Sequence, residues 1–241
     1  MAIYKNKIHR FLDKLLPFKK KRLKILKSIL PYSYTADWLI NIPKIRAWEK
    51  KYQPEKVLEN RFRLYDYLNQ EILQNDKITF LEFGVFEGTS IKYWAKIHQH
   101  LESKFVGFDT FTGLPEDWLA TPLHTHDNTE YDAGGIIPKV SDERISFVKG
   151  LFQETLGEFA NKFNPTSRLI IHSDSDLYSS TLFVLSKLDK YIIPGTIVIF
   201  DEFNSPLTEF KAFIDYSSAY MRTYRTVCST PNLVQMVVEF T

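Results

Sequence analysis

LEFGVFEGTS, residues 81–90, joins two kinds of local pattern. The residues leading into it, Lys77, Ile78, Thr79, Phe80 and Leu81, are β-branched or aromatic and predict a short strand. Beyond it, Ile91 to Leu101 carries the apolar spacing of a helix. A strand that turns through glycines into a helix is the opening unit of a nucleotide-type crevice. Gly84 and Gly88 let backbone approach a ligand closely, and the helix start at Thr89 and Ser90 offers unpaired N–H groups. The turn suits a small, partly charged cofactor.

The same alternation continues outward. Strands are predicted at 78–83, 104–109, 145–149, 168–173 and 196–201, and helices at 89–101, 153–162, 178–190 and 205–220. Strand–helix alternation argues a mostly parallel α/β sheet with helices on both faces. Two last strands, near 222–228 and 232–240, are separated by Ser229-Thr230-Pro231-Asn232 alone and predict an antiparallel hairpin at one side of the sheet. Parallel sheets bind ligands at the C-terminal ends of their strands. That rule selects Glu82 to Gly88, Asp109, Gly150 to Gln153 (with Phe152), Ser173 to Tyr178, and Asp201-Glu202.

Upstream, residues 1–75 read as a basic helical cap, lid or oligomerisation segment, and residues 76–241 as the domain carrying the site. Two amphipathic runs, Ile8 to Leu16 and Leu23 to Leu30, precede a stretch, 31–55, in which Pro31, Pro43 and Pro54 break any long element. Its aromatic density predicts a packed cap rather than a free linker, and Val57 to Leu73 predicts a helix with Arg61, Arg63 and Glu71 on its wet side.

The chain's 241 residues allow one well-buried α/β domain plus an appendage. The single cysteine, Cys228, rules out a disulfide framework within the chain. No apolar run reaches the length of a membrane span, and the start lacks a signal peptide's apolar core, so a cytoplasmic location is expected. Residues 1–30 hold ten Lys/Arg against one acid, Asp13, a charge of +9; the remainder, with 21 basic and 28 acidic residues, carries −7. An acidic body with a basic arm is not the footprint of a nucleic-acid-binding domain. The arm's apolar faces suit packing on the body or on a second subunit, giving a homo-oligomer, or peripheral contact with an anionic membrane.

The glycine spacing selects the cofactor. A dinucleotide fingerprint needs G-x-G-x-x-G, but Phe86 fills the middle position, and no G-K-[ST] exists for a phosphate loop. E-x-G-x-x-x-G-[ST], with Asp109 following 21 residues after Gly88, fits S-adenosyl-L-methionine instead. That cofactor has no phosphate. Its ribose diol needs a carboxylate, for which Asp109 is placed, and its ammonium needs an acidic or carbonyl partner near Glu82 and Gly84. The plainer role for Asp109 is to cap its own turn.

Asp174, Asp176, Asp201 and Glu202 form a second constellation. Asp174 and Asp176 are two apart and, at strand spacing, project to one side; Asp201 and Glu202 end the neighbouring strand. Four carboxylates at one sheet edge repel unless a cation or protons neutralise them. All-oxygen ligation favours Mg2+. Individually, Asp176 also suits a helix N-cap and Asp201 a backbone turn.

LEFGVFEGTS, GFDTFTGLPEDW, KGLFQETL, DSDLYSST and FDEF, in that order, resemble the macrocin O-methyltransferase-like family over roughly residues 75–215. The resemblance implies a class I methyltransferase with a Rossmann-like sheet, dependent on S-adenosyl-L-methionine and Mg2+, that methylates sugar hydroxyls of a small-molecule or glycan acceptor. It implies Asp174 and Asp201 as metal ligands with Glu202 beside them, Asp176 as general base, Asp109 as ribose ligand, and Glu82, Gly84 and Gly88 as the cofactor turn. The family often has D-G-D where this chain has Asp174-Ser175-Asp176, and paired aspartates where it has Asp201-Glu202. Acceptor specificity is expected from the N-terminal segment and the 119–140 loop, whose His124 and His126 suit a lid better than a zinc site, lacking a third soft ligand. The alternatives are a catechol-type aryl O-methyltransferase and a non-catalytic, membrane-docked binding protein.

Overall fold

β2 (Ile78–Phe83) is buried along its whole length, which marks a strand covered on both faces. The computed structural model describes residues 34–241. In it β2 pairs in parallel with β3 (Lys104–Asp109) on one side and β7 (Arg168–Ser173) on the other. Beyond β3 lies β6 (Ile145–Lys149), and beyond β7 lies β8 (Ile197–Phe200), both parallel. β9 (Tyr224–Ser229) and β10 (Met236–Phe240) form the expected antiparallel pair, with β10 against β8. A two-residue strand, β1 (Lys56–Val57), pairs with β9, giving the order β1-β9-β10-β8-β7-β2-β3-β6. This is the mostly parallel, Rossmann-like arrangement expected from the sequence.

Side-chain alternation splits the core in two. Leu81, Phe83, Ile171 and Phe200 face α4 (Phe152–Lys162), α5 (Tyr178–Leu188) and α6 (Glu209–Ala219). Ile78, Phe80, Ile170 and Ile199 face α2 (Arg61–Tyr67) and α3 (Thr89–Ile97). Each large apolar side chain so buried contributes about 1.5–3 kcal/mol. The register brings Phe83, Phe108, Ser173 and Phe200 to one level, so the turns after β2, β3, β7 and β8 open at a common edge.

Two local expectations are corrected. Residues 34–51 form one helix, α1 (Tyr34–Lys51), with Pro43 inside it. The turn that loses a donor there is exposed, with Leu39 and Ile40 each 59 % open, so solvent can serve the freed carbonyl. Further along, Trp48 anchors the helix: its indole donates to Tyr224 Oη (2.8 Å) and its ring packs on Phe203 at 5.0 Å. The second correction lies at 57–73. Val57 is in β1, and the helix starts only after Asn60, whose side chain accepts from Phe62 N and Arg63 N. It then widens into a π-helical turn, Leu68–Leu73.

Elsewhere boundaries differ by a few residues: α3 stops at Ile97, and α6 begins at Glu209. The hairpin lies at one side of the sheet as expected, flanked there by the two-residue β1. Residues 34–75 contribute Trp48 to one core cluster and Leu64, Tyr65 and Leu68 to the other. The amphipathic runs at 8–16 and 23–30, with their expected membrane or subunit contacts, lie outside the described residues. Among those described, no helix is long and apolar enough to cross a membrane.

Candidate active site

At the C-terminal end of β2, Gly84 sits at φ +94°, and a β-carbon there would lie 1.7 Å from the Asp174 carbonyl oxygen. Glycine is therefore required by both backbone sign and close approach. Gly84 N donates to Phe108 O (3.0 Å) and Asp174 N to Phe83 O (2.9 Å), locking the three strand ends together. Gly88, at φ +76°, caps the start of α3. Thr89 and Ser90, the first residues of that helix, stand on the wall of a cavity of about 400 Å³.

The wall of this cavity also carries Gly84, Asp109, Asp174, Asp176, Asp201 and Glu202. The glycine turn and all four acids picked from the sequence thus meet in one space. A smaller cavity of about 40 Å³ shares Gly84 and Asp109 with it and adds Phe152 and Gln153. Gly150, at φ +137°, bends the chain into that wall and donates its N–H to Asp109 O (2.9 Å).

Asp109 is heavily engaged. Its Oδ2 accepts from Val85 N (2.6 Å) and Phe86 N (2.8 Å), and Oδ1 accepts from Phe111 N (2.7 Å). The carboxylate holds both turns in shape; Thr110 Oγ1 also lies 3.5 Å from Oδ1 but gives its single proton to Gly113 O (2.7 Å), which leaves one lone pair on Oδ1 for a ligand. Glu82 lies beneath the cavity, 1 % exposed. Its Oε1 accepts from His172 Nδ1 (3.0 Å), whose Nε2 accepts from Tyr65 Oη (3.2 Å), while Oε2 has no partner. Burial raises the Glu82 carboxyl against the pull of His172.

In the acid cluster, β7 ends at Ser173, so Asp174 and Asp176 are not at strand spacing as expected from their sequence separation. Asp176 adopts a left-handed conformation (φ +60°), and the chain folds back there with Leu177 N donating to Ser175 O. That turn brings Asp176 to the cavity even so. It is not a helix cap: Leu177 precedes α5 without a side-chain capping bond.

Burial, then the neighbouring acids, raises Asp174, Asp176 and Glu202. Asp174 lies well above the ordinary carboxylate range, pushed by burial, Asp201 and Asp176. Asp176 rises to about 7 through burial, Glu202 and Asp201, and Glu202 to about 7 through burial and Asp201. Asp201 is 3 % exposed and accepts from Gln235 Nε2 at Oδ1 (3.2 Å).

Residues 81–203 match the model of a methyltransferase-domain family. The chain belongs to this family of methyltransferases. Among solved structures, it is similar in fold to the calicheamicin methyltransferase CalS11, at 23 % identity over 91 % of this chain and 90 % of that one, with a TM-score of 0.56. The O-methyltransferase NovP is similar at 18 % identity over 75 % and 79 %, also with a TM-score of 0.56. A search of the curated proteins finds no match.

Three side chains of the methyltransferase's site escaped the sequence reading. Arg61, assigned to a wet helix face, directs Nη1 to within 3.5 Å of Asp201 Oδ2 and 4.0 Å of Asp174 Oδ2. Glu209, fully buried, accepts from Glu202 N (2.8 Å) and Ser173 Oγ (2.9 Å), and so fixes the turn that carries Glu202. His172 offers a nitrogen within 4.8 Å of Asp174 and Asp201 oxygens, but Glu82 and Tyr65 occupy both ring nitrogens. Its one sequence signal was a histidine inside the apolar run LIIHSD. His126 stacks on Trp118 (4.4 Å, 15°) and pairs with Glu130 (2.6 Å).

Proposed function

We propose that this methyltransferase transfers the methyl group of S-adenosyl-L-methionine to a sugar hydroxyl, as the resemblance to the macrocin O-methyltransferase-like family suggests. Asp176 is the general base, and Asp174, Asp201 and Glu202 would hold Mg2+. One observation carries the proposal: a single cavity is lined by the glycine turn and by the carboxylates of Asp174, Asp176, Asp201 and Glu202.

The residues present fit both groups. For the methyl donor, Gly84 keeps the turn clear of side-chain bulk, and Glu82 Oε2 is a buried carboxylate oxygen without a partner, suited to a cationic ammonium. Asp109 offers its remaining lone pair to a ribose hydroxyl. For the ion, Asp174 and Asp201 bring carboxylate oxygens within 4.8 Å of each other, donors that a hard divalent cation prefers, and Glu202 lines the same cavity. When bound, such an ion supplies positive charge that acidifies a nearby hydroxyl, and S-adenosyl-L-methionine supplies an electrophilic methyl carbon.

Asp176 then takes the proton of the acceptor hydroxyl. A donor held by the glycine turn would pass its methyl group to that hydroxyl oxygen and depart as S-adenosylhomocysteine. A carboxylate raised to about 7 is a better proton acceptor than an ordinary one. Arg61 offsets the charge of Asp174 and Asp201, and Glu209 holds the Glu202 backbone in place. Holding oxygen and methyl carbon in line supplies much of the rate.

Methyl transfer to a panel of sugars and catechols, followed by mass spectrometry, tests this. Sugar acceptors are expected to gain one methyl group, and EDTA is expected to stop turnover. Asp176→Asn should lower kcat by at least about 100-fold while S-adenosylhomocysteine binds as before. Normal turnover in that variant removes Asp176 from the base role; turnover indifferent to EDTA removes the metal.

A further inference from the structure

The cavity at the strand ends is lined by six acidic side chains, Glu87, Asp109, Asp174, Asp176, Asp201 and Glu202. Among the described residues on its wall, one lysine or arginine faces them: Arg61, the first residue of α2. Asn60 fixes the start of that helix by accepting from Phe62 N and Arg63 N. The Arg61 backbone is thereby held, while its side chain, 41 % exposed, keeps a path to solvent.

Its contact with the acids is loose. Nη1 stands 3.5 Å from Asp201 Oδ2 and 4.0 Å from Asp174 Oδ2, both beyond ordinary hydrogen-bond length. The guanidinium thus acts on the two carboxylates as a charge and takes no lone pair of either Oδ2. Burial works against its own charge, and the fields of Asp201 and Asp174 outweigh that cost. The small hairpin β4 (Trp118–Thr121) and β5 (His124–His126) supplies no equivalent, since its His126, whose field reaches Glu202, is already paired with Glu130 (2.6 Å).

We infer that Arg61 is an internal competitor for the divalent cation: it lowers the affinity of the acid cluster for the ion, so that the ion exchanges with solution instead of staying bound. The inference rests on the metal assignment made above. Asp174 and Asp201, whose oxygens lie within 4.8 Å of each other, are at once the partners of Arg61 and the ligands proposed for the ion. Two positive groups drawing on one pair of carboxylates repel, and each weakens the other's hold by the same factor. An arginine keeps its charge at any working pH, so the competition persists whatever the proton concentration. Its exposed side gives the guanidinium a hydrated position to occupy when the ion enters.

The test reads ion binding itself, without turnover. Mn2+, which takes the same oxygen ligands and reports its own binding by electron paramagnetic resonance, is titrated into the full chain at pH 7.5. Arg61→Gln should lower the Mn2+ Kd at least about tenfold. Arg61→Lys, which keeps a positive charge, should show no such gain, and Asp201→Asn should weaken Mn2+ binding at least about tenfold. Unchanged or weaker binding in Arg61→Gln, with the expected loss in Asp201→Asn, overturns the inference and leaves the metal assignment standing. An equal gain in Arg61→Lys also overturns it, because bulk rather than charge would then be at stake. Mn2+ binding that Asp201→Asn leaves unchanged, or that no form of the protein shows, removes the metal assignment itself.

Discussion

Gly84 sets how near the donor turn lies to the acid cluster, because its missing side chain is what lets the Asp174 carbonyl close to the backbone. Gly84→Ala forces a β-carbon into that carbonyl and a side chain into left-handed backbone, the latter alone costing about 1–2 kcal/mol. The variant is expected to melt at least about 4 °C lower and to lose S-adenosylhomocysteine binding. Thermal unfolding with and without the ligand checks both, and a variant with unchanged binding would show that the turn tolerates displacement. At this scale the acids were legible and their counter-groups were not. Asp174, Asp201 and Glu202 follow strand signals, and their strands end in register. Arg61 and Glu209 sit on helices, where a charged residue looks like solvated surface until the tertiary fold turns it inward.

Among the elements, the strands were the most legible, because a parallel core strand carries an unbroken apolar run that needs no partner to be recognised. Boundaries set by distant partners were hidden. β1 exists because Lys56 and Val57 meet Cys228 and Ser229, some 170 positions away, and α1 survives Pro43 because Trp48 is held by Phe203 and Tyr224. The end of α3 shows the same cause. His98 leaves the helix and enters the core, where Nδ1 donates to Asn69 Oδ1 (2.7 Å) and Nε2 accepts from Ser103 Oγ (3.0 Å). Ser103 Oγ in turn accepts from Ile78 N, so one neutral imidazole ties the π-helical turn, α3 and β2 together.

Burial, with Arg144 and His100 nearby, lowers the His98 pKa from 6.5 to about 4. Its folded-state value lies below its unfolded one. The contribution is therefore complete above about pH 6.5 and is lost as pH falls toward 4, up to about 3 kcal/mol. Urea unfolding at pH 7.5 and 4.5 should show wild type losing that much more stability than His98→Gln. Equal losses in the two proteins would show that His98 does not stay neutral in the fold.

On the scale of the whole molecule, the fold gathers ionisable groups whose charged forms oppose folding. Asp176 and Glu202, raised to about 7, stay protonated in the folded state where the unfolded chain has already ionised them. The sign is opposite to that of His98: their effect on stability is unfavourable as pH rises from about 4 to about 7 and is fully developed above it. A divalent cation that binds the ionised cluster should thus stabilise the protein most at pH 7.5 or above. The donor side has a sharper discriminator, since Phe86 stands where a pyrophosphate-binding turn has glycine and Asp109 Oδ2 is already taken by two backbone N–H groups. S-adenosylhomocysteine at about 100 times its Kd should stabilise the fold by about 2.7 kcal/mol. For 241 residues that is a rise in Tm of about 5 °C. NAD+ at the same concentration should leave Tm unchanged. A shift with NAD+ alone would mean that the glycine turn accepts a pyrophosphate despite Phe86, and the assignment of the crevice to a sulfonium donor would fall with it.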